Sequence, residues 1–356
     1  MDGFGVGYKK LPKVPIMERK IVFVEGPLIV GAGPGGLATA ACLKKNGIPS
    51  VILERANCIA SLWKFKTYDR LHLHLPKEFC QLPHMPFPES YPTYPSKNQF
   101  NSYLEDYVEA FGLKPKFNET VTDAEFDDNS QVWRTLSVGK DKKGEFVETE
   151  YVSKYLVVAT GENAEEVTPS FEGMDEFGQL FHSSQYRNGY MFKDKKVLVV
   201  GTGNSGMEIA LDLANYDAKP TLAIRDASHI WPREMLGMST FKVAVFLQKL
   251  FPIRVVDFLM FLLTYLFLGD ISKLGIHRPR VGPLELKMRT GKTPVLDVGT
   301  LAKVREGKIK VIRGGIAKLA DHAVEFMDGT IENFDAIVLA TGFRSNVPTW
   351  LKVILP

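Results

Sequence analysis

LIVGAGPGGLATAACLKK at residues 28–45 and VLVVGTGNSGMEIALDLA at residues 197–214 decide how this chain reads. Each runs an apolar strand into GxGxxG and then into an Ala/Leu/Ile-rich amphipathic stretch, the strand, turn and helix context of a dinucleotide-binding fingerprint. One such match is weak evidence. Two in the correct context, 170 residues apart, predict two βαβ-based domains in one chain. A second repeated phrase supports the pairing. YLVVATGENA at 155–164 and AIVLATGFRS at 336–345 each end an apolar strand in Ala-Thr-Gly, where small residues let the backbone pass a cofactor or turn into the next domain. The expected fold class is therefore α/β, with two Rossmann-like dinucleotide-binding domains, the second inserted in the first. The expected boundaries are an N-terminal extension at 1–20, the first domain over 21–165, the second with a helical insertion over 166–324, and a return to the first over 325–356.

Length and composition agree. A chain of 356 residues exceeds what one hydrophobic core usually organises. With 45% hydrophobic and 24% charged residues and unperiodic Gly and Pro, it is neither disordered, collagenous nor coiled-coil. The formal charge of +3, with no long run of one sign, gives no footprint for nucleic acid. Cys42, Cys58 and Cys80 lack the spacing of a redox pair or metal site, which fits a reducing, cytoplasmic setting. The first twenty residues hold no apolar secretory core. FLMFLLTYLFLG at 258–269 is twelve residues long, against the ~20 of a spanning helix. It reads as a core helix or as a weak membrane contact, for example at the endoplasmic-reticulum surface. The stretch 66–96, dense in proline and aromatic residues, cannot be a long helix and reads as a loop over a ligand or as a structural loop.

The two fingerprints differ in the charge that follows them. In the first, Gly31, Gly33 and Gly36 take the three glycine roles, and the next strand, VILE, ends in Glu54, where a carboxylate can accept both ribose hydroxyls of FAD or NAD. In the second, Gly201, Gly203 and Gly206 are followed by TLAI and Arg225 in matching register. An arginine there suits a 2′-phosphate, hence NADPH, although the neighbouring Asp226 opposes one if it points inward and a solvated strand-end Arg is the alternative. Such a pair of domains passes electrons from nicotinamide to flavin. Without a cysteine pair to receive them, molecular oxygen is the leading acceptor.

These residues resemble the plant YUCCA flavin-dependent monooxygenases over about 28–352. The resemblance rests on GAGPGGLATAACL, ASLWK at 60–64, YDRLHLHLPKEFCQLPHMPFP, ATGENAE at 159–165, VVGTGNSGMEIALDLA and ATGFRSNVPTWL at 340–351. It implies FAD on Gly31, Ala32, Gly33, Pro34, Gly35 and Gly36, and NADPH on Gly201, Thr202, Gly203, Asn204, Ser205 and Gly206. It also implies oxidative decarboxylation of indole-3-pyruvate to indole-3-acetate, the plant hormone auxin, through a C4a-peroxyflavin. Two departures stand out. EFGQLFHSSQY keeps Gly178, His182 and Tyr186 of the FxGxxxHxxxY signature but carries its Phe one position late, at Phe177. Relatives also continue past TWL with a strand and helix near the flavin, which puts activity in question and leaves a non-catalytic pseudo-oxygenase as one alternative. A separate alternative keeps enzyme status but makes the reaction N- or S-oxygenation of soft nucleophiles.

Candidate roles follow. His74 aligns with a flavin-edge asparagine of related monooxygenases, or is a structural group in the LHLHLP run, a reading equally open to His72. Trp63 covers the isoalloxazine or belongs to the core; Asn204 reads as a helix cap. For the substrate carboxylate, Arg233, Arg278, Arg289 and Arg344 are candidates, and Arg344 has the best position because it follows the second ATG. The tract 231–269 offers the apolar slot an indole needs. Oligomeric state is not legible.

Overall fold

The computed structural model describes residues 19–140 and 144–352. The first fingerprint strand, Leu28–Val30, is fully buried between parallel strands Val51–Leu53 and Leu156–Val158. The second, Lys196–Val200, lies between Lys219–Ile224 and Ala336–Leu339, with Lys310–Arg313 and Leu180–His182 at the edges, all parallel. Short Val/Ile/Leu runs covered on both faces are what a parallel sheet requires. Each fingerprint strand feeds a helix, Pro34–Lys45 or Asn204–Asn215, that covers its sheet.

The two ATG phrases are equivalent strand ends. Strand Leu156–Val158 leads into Ala159 beside the first fingerprint, and strand Ala336–Leu339 leads into Ala340 beside the second. The second occurrence corrects the expected boundary. Residues 336–339 pair with 197–200 in the second sheet, so the chain returns to the first domain after Ala340 and not near residue 325. The preceding residues form an antiparallel sheet of Ile316–Leu319, Ala323–Phe326 and Ile331–Asn333, whose core is continuous with that sheet. The return is seen where Leu351–Lys352 joins Thr120–Asp127 at the edge of a separate five-stranded sheet. Of the expected N-terminal extension, residues 1–18 lie outside the described residues, and Lys20 already opens strand Lys20–Val24.

Segment 66–96 contains only the four-residue helix Lys77–Cys80 and stitches the molecule together. Tyr68 and Leu71 enter the core of the second domain, Leu73 that of the first, and Leu75 packs on the inserted helices. Lys77 Nζ closes the loop by donating to the carbonyls of Pro88, Glu89 and Tyr91. The shifted signature braces the second domain. Phe177 is buried under its sheet, and Tyr186 donates to Asp212 Oδ2 at 2.7 Å on the second fingerprint helix.

Candidate nucleotide sites

The two turns are built alike, and each glycine is required for a different reason. Gly31 and Gly201 sit at φ +109° and +113°, and a Cβ on either would overlap the carbonyl oxygen of Ala159 or Ala340. A Cβ on Gly36 or Gly206 would overlap the carbonyl of that first glycine, so these positions fix how closely helix packs on strand. Gly33 and Gly203 differ: nothing lies within 4 Å of where their Cβ would stand. That open space faces the start of a helix with no side-chain cap. Helix Lys97–Ala110, by contrast, has a complete capping box between Ser96 and Gln99. An uncapped helix start beside open space leaves free N–H groups and a positive dipole end for a diphosphate.

A cleft of about 670 Å³ opens on the first turn. Gly31, Gly33, Pro34, Gly35, Glu54 and Trp63 line it together. Ala32 and Gly36 stand behind it, both buried. Glu54 is itself buried, and its Oε2 accepts from Ala32 N at 2.8 Å while Oε1 accepts from Ala56 N at 2.9 Å, so the carboxylate also fixes the turn. Trp63 lines the cleft and packs edge-on against Phe100, with ring centroids 4.6 Å apart. Two lining residues escaped the sequence reading. Thr160 Oγ1 and Asn346 Oδ1 are buried polar atoms without a partner, both in this cleft. Native structures rarely leave such atoms unpaired. With the glycine cradle and Glu54, they fit a flavin dinucleotide. Thr160 belongs to the ATG phrase, whose small residues drew attention away from its hydroxyl, and Asn346 is supplied from the far end of the sequence.

The second turn presents Thr202, whose Oγ1 lies 3.1 Å from Ser228 Oγ, and Ser205 in the first helical turn. Arg225 stands at the end of strand Lys219–Ile224, 80% exposed and 3.1 Å from Asp226 Oδ2. An exposed guanidinium, an open Gly203 and an uncapped helix fit a phosphorylated nicotinamide dinucleotide. Asn204 does not cap the helix. Its Oδ1 accepts from Leu296 N at 2.9 Å, because Gly203 occupies the cap position and Asn204 is already helical.

Two expected residues lie elsewhere. His74 is not among the cleft-lining residues, and its Nε2 is 2.7 Å from Glu208 Oε1 on the second fingerprint helix. Arg344 is also absent from the lining, 70% exposed and paired with Glu165 Oε2 at 3.1 Å across the short ladder of residues 343–344 and 165–166. Among the other cations, Arg289 pairs with Glu285, Arg233 lies over the Tyr94 ring at 4.3 Å, and Arg278 lies over Phe261 at 5.2 Å with an unpartnered buried Nη2. No helix among the described residues is long and apolar enough to cross a membrane.

The comparisons with known proteins agree with this geometry. Residues 27–354 match the sequence profile of a family described as flavin-binding monooxygenase-like. "Indole-3-pyruvate monooxygenase YUCCA6" of Arabidopsis thaliana is 60% identical over 94% of this chain and 79% of its own length. "Indole-3-pyruvate monooxygenase YUCCA1" of Oryza sativa subsp. japonica is 51% identical over 95% of this chain and 81% of its own length. In fold, a flavin-containing monooxygenase from Stenotrophomonas maltophilia superposes with a TM-score of 0.67 at 20% identity, covering 94% of this chain and 83% of its own. A steroid monooxygenase bound to NADP superposes with 0.71 at 19%, covering 92% and 72%. The twin fingerprints, the paired sheets and this identity have one explanation: the chain belongs to the flavin-binding monooxygenase-like family and, within it, to the YUCCA branch.

Proposed function

We propose that the chain holds FAD on the turn of Gly31, Gly33 and Gly36 and NADPH on that of Gly201, Gly203 and Gly206, and that it converts indole-3-pyruvate to indole-3-acetate. The observation that carries the reading is the reversal of charge at one register, Glu54 after the first turn and Arg225 after the second, in a chain 60% identical to an indole-3-pyruvate monooxygenase. One keto acid, one oxygen molecule, one NADPH and one proton give indole-3-acetate, carbon dioxide, NADP+ and water.

When bound, the flavin supplies electron transfer and oxygen activation. The chain's own residues bind, orient and exclude water. The uncapped helix starts and open glycines hold the diphosphates, Thr160 and Asn346 offer unspent hydrogen-bonding atoms, and Trp63 backed by Phe100 forms an apolar wall. The proline-rich segment fixes the second domain against the first through Tyr68, Leu71 and His74. For Arg344 to receive the substrate carboxylate, that carboxylate must replace Glu165.

The test is direct. Purified protein with FAD, NADPH and indole-3-pyruvate should consume NADPH and release indole-3-acetate, identified by mass. NADPH oxidation that yields only hydrogen peroxide, or N-oxide from a tertiary amine with no indole-3-acetate, would overturn the reading.

A further inference from the structure

Helices Thr240–Leu250 and Ile253–Leu268 form a hairpin inserted in the second domain. The longer helix is apolar on two opposite faces. Val256, Met260, Thr264 and Leu268 recur every fourth residue and are buried against the protein. Phe258, Leu262 and Leu266 recur with the same spacing two residues out of phase, which places them about 200° around the helix. They are 64%, 45% and 71% exposed. Phe246, Leu250 and Phe251 extend the surface onto the shorter helix and the turn, at 60%, 59% and 43% exposed. Apolar side chains scattered singly over a surface need no explanation, but a continuous stripe of this kind marks a docking surface.

Charge indicates what docks there. The only carboxylate between residues 240 and 268 is Asp257, which is buried and accepts from the backbone N–H groups of Leu284 and Glu285. Lys242 is paired with Glu78, whereas Lys249 and Arg254 are exposed beside the apolar stripe without a partner among the described residues. A twofold contact through the hairpin would bring these cations together with no exposed carboxylate among residues 240–268 to offset them. Anionic headgroups above an apolar layer would complement both features. A helix of 16 residues is too short to span but is suited to lie in the plane of the interface.

We infer that the hairpin 240–268 is a membrane-surface anchor, laying Phe258, Leu262 and Leu266 into the acyl boundary and Lys249 and Arg254 onto anionic lipid headgroups. The inference is independent of the substrate assignment.

Co-sedimentation of the purified protein with phosphatidylcholine vesicles, with and without phosphatidylserine, tests it. Wild type should pellet with both, more strongly with the anionic vesicles and less so at high salt. Replacing Phe258, Leu262 and Leu266 together with Ser should abolish pelleting with both, while circular dichroism and the thermal midpoint confirm that the variant folds. Lys249→Glu with Arg254→Glu should lower binding to anionic vesicles by about tenfold or more and leave neutral vesicles unchanged. Wild type remaining in the supernatant at every composition would overturn the inference, as would equal pelleting of the folded triple variant. Concentration-dependent dimerisation lost in that variant, without vesicle binding, would assign the face to a second copy instead.

Discussion

The imidazole Nε2 of His74 lies 2.7 Å from Oε1 of Glu208, joining the proline-rich segment of the first domain to the helix that begins the second nucleotide site. Glu208 is 4% exposed. A carboxylate so enclosed needs a donor, and His74 supplies one from across the domain boundary. Replacing His74 with Ala should therefore lower stability by about 1–3 kcal/mol. His74→Gln, which keeps an N–H donor, should recover part of that loss. Chemical unfolding of the flavin-loaded protein measures both; unchanged midpoints in the two variants would show that the contact contributes nothing.

The glycines should separate by role. Gly33→Ala places a methyl in open space, so the fold should persist while visible flavin absorbance of the purified protein falls sharply. Gly36→Ala forces a methyl onto the Gly31 carbonyl, and its overpacking should cost about 1–3 kcal/mol of stability with or without flavin. A Gly33→Ala protein that keeps its full complement of flavin would contradict the diphosphate cradle.

Arg225 should discriminate between the nicotinamide nucleotides. Loss of a charge-assisted contact with a 2′-phosphate, worth about 1.5–3 kcal/mol, should raise KM for NADPH roughly 10- to 100-fold in Arg225→Ala. KM for NADH should hardly move. Equal changes for the two nucleotides would mean that Arg225 is only the exposed partner of Asp226.

His182 gives stability a pH dependence. Its Nε2 donates to the Gly342 carbonyl at 3.0 Å and its Nδ1 accepts from Ser184 N at 3.2 Å, which fixes the neutral ring. Burial is the main cause that holds its pKa below the ordinary value of 6.5, and protonation would cost Nδ1 its bond. The unfolded chain therefore takes up a proton first as pH falls. The contribution is fully present above 6.5 and is lost as pH falls towards the depressed folded value. The loss approaches about 1.4 kcal/mol per pH unit while the two states differ by a full proton. His182→Gln should start from lower stability and show a shallower acid limb in thermal midpoints; an unaltered slope would rule out His182 as its source.

Much of the nucleotide chemistry was legible because it is local. The turns of Gly31 and Gly201 are dictated by a backbone that cannot accept a Cβ, and the residues ending the next strands, Glu54 and Arg225, are set by register with the fingerprint. The Asn204 cap failed for an equally local reason: Gly203 holds the cap position, and Asn204 is one residue too far along. Thr160 and Asn346 were not found because neither is unusual in its own neighbourhood. They become notable only as unpaired atoms in one cleft, supplied by segments far apart in the sequence.

The sequence by itself determined two dinucleotide turns, their opposite charges and the kinship with flavin monooxygenases, since all three depend on residue type and short spacing. Only the tertiary structure decided that strand Ala336–Leu339 belongs to the second sheet, that His74 meets Glu208, that Arg344 is held by Glu165, and that half of helix Ile253–Leu268 faces outward. Each of these depends on which distant segment lies alongside. An apolar strand fits either parallel sheet, and a charged side chain pairs with whichever opposite charge the fold brings within about 3 Å.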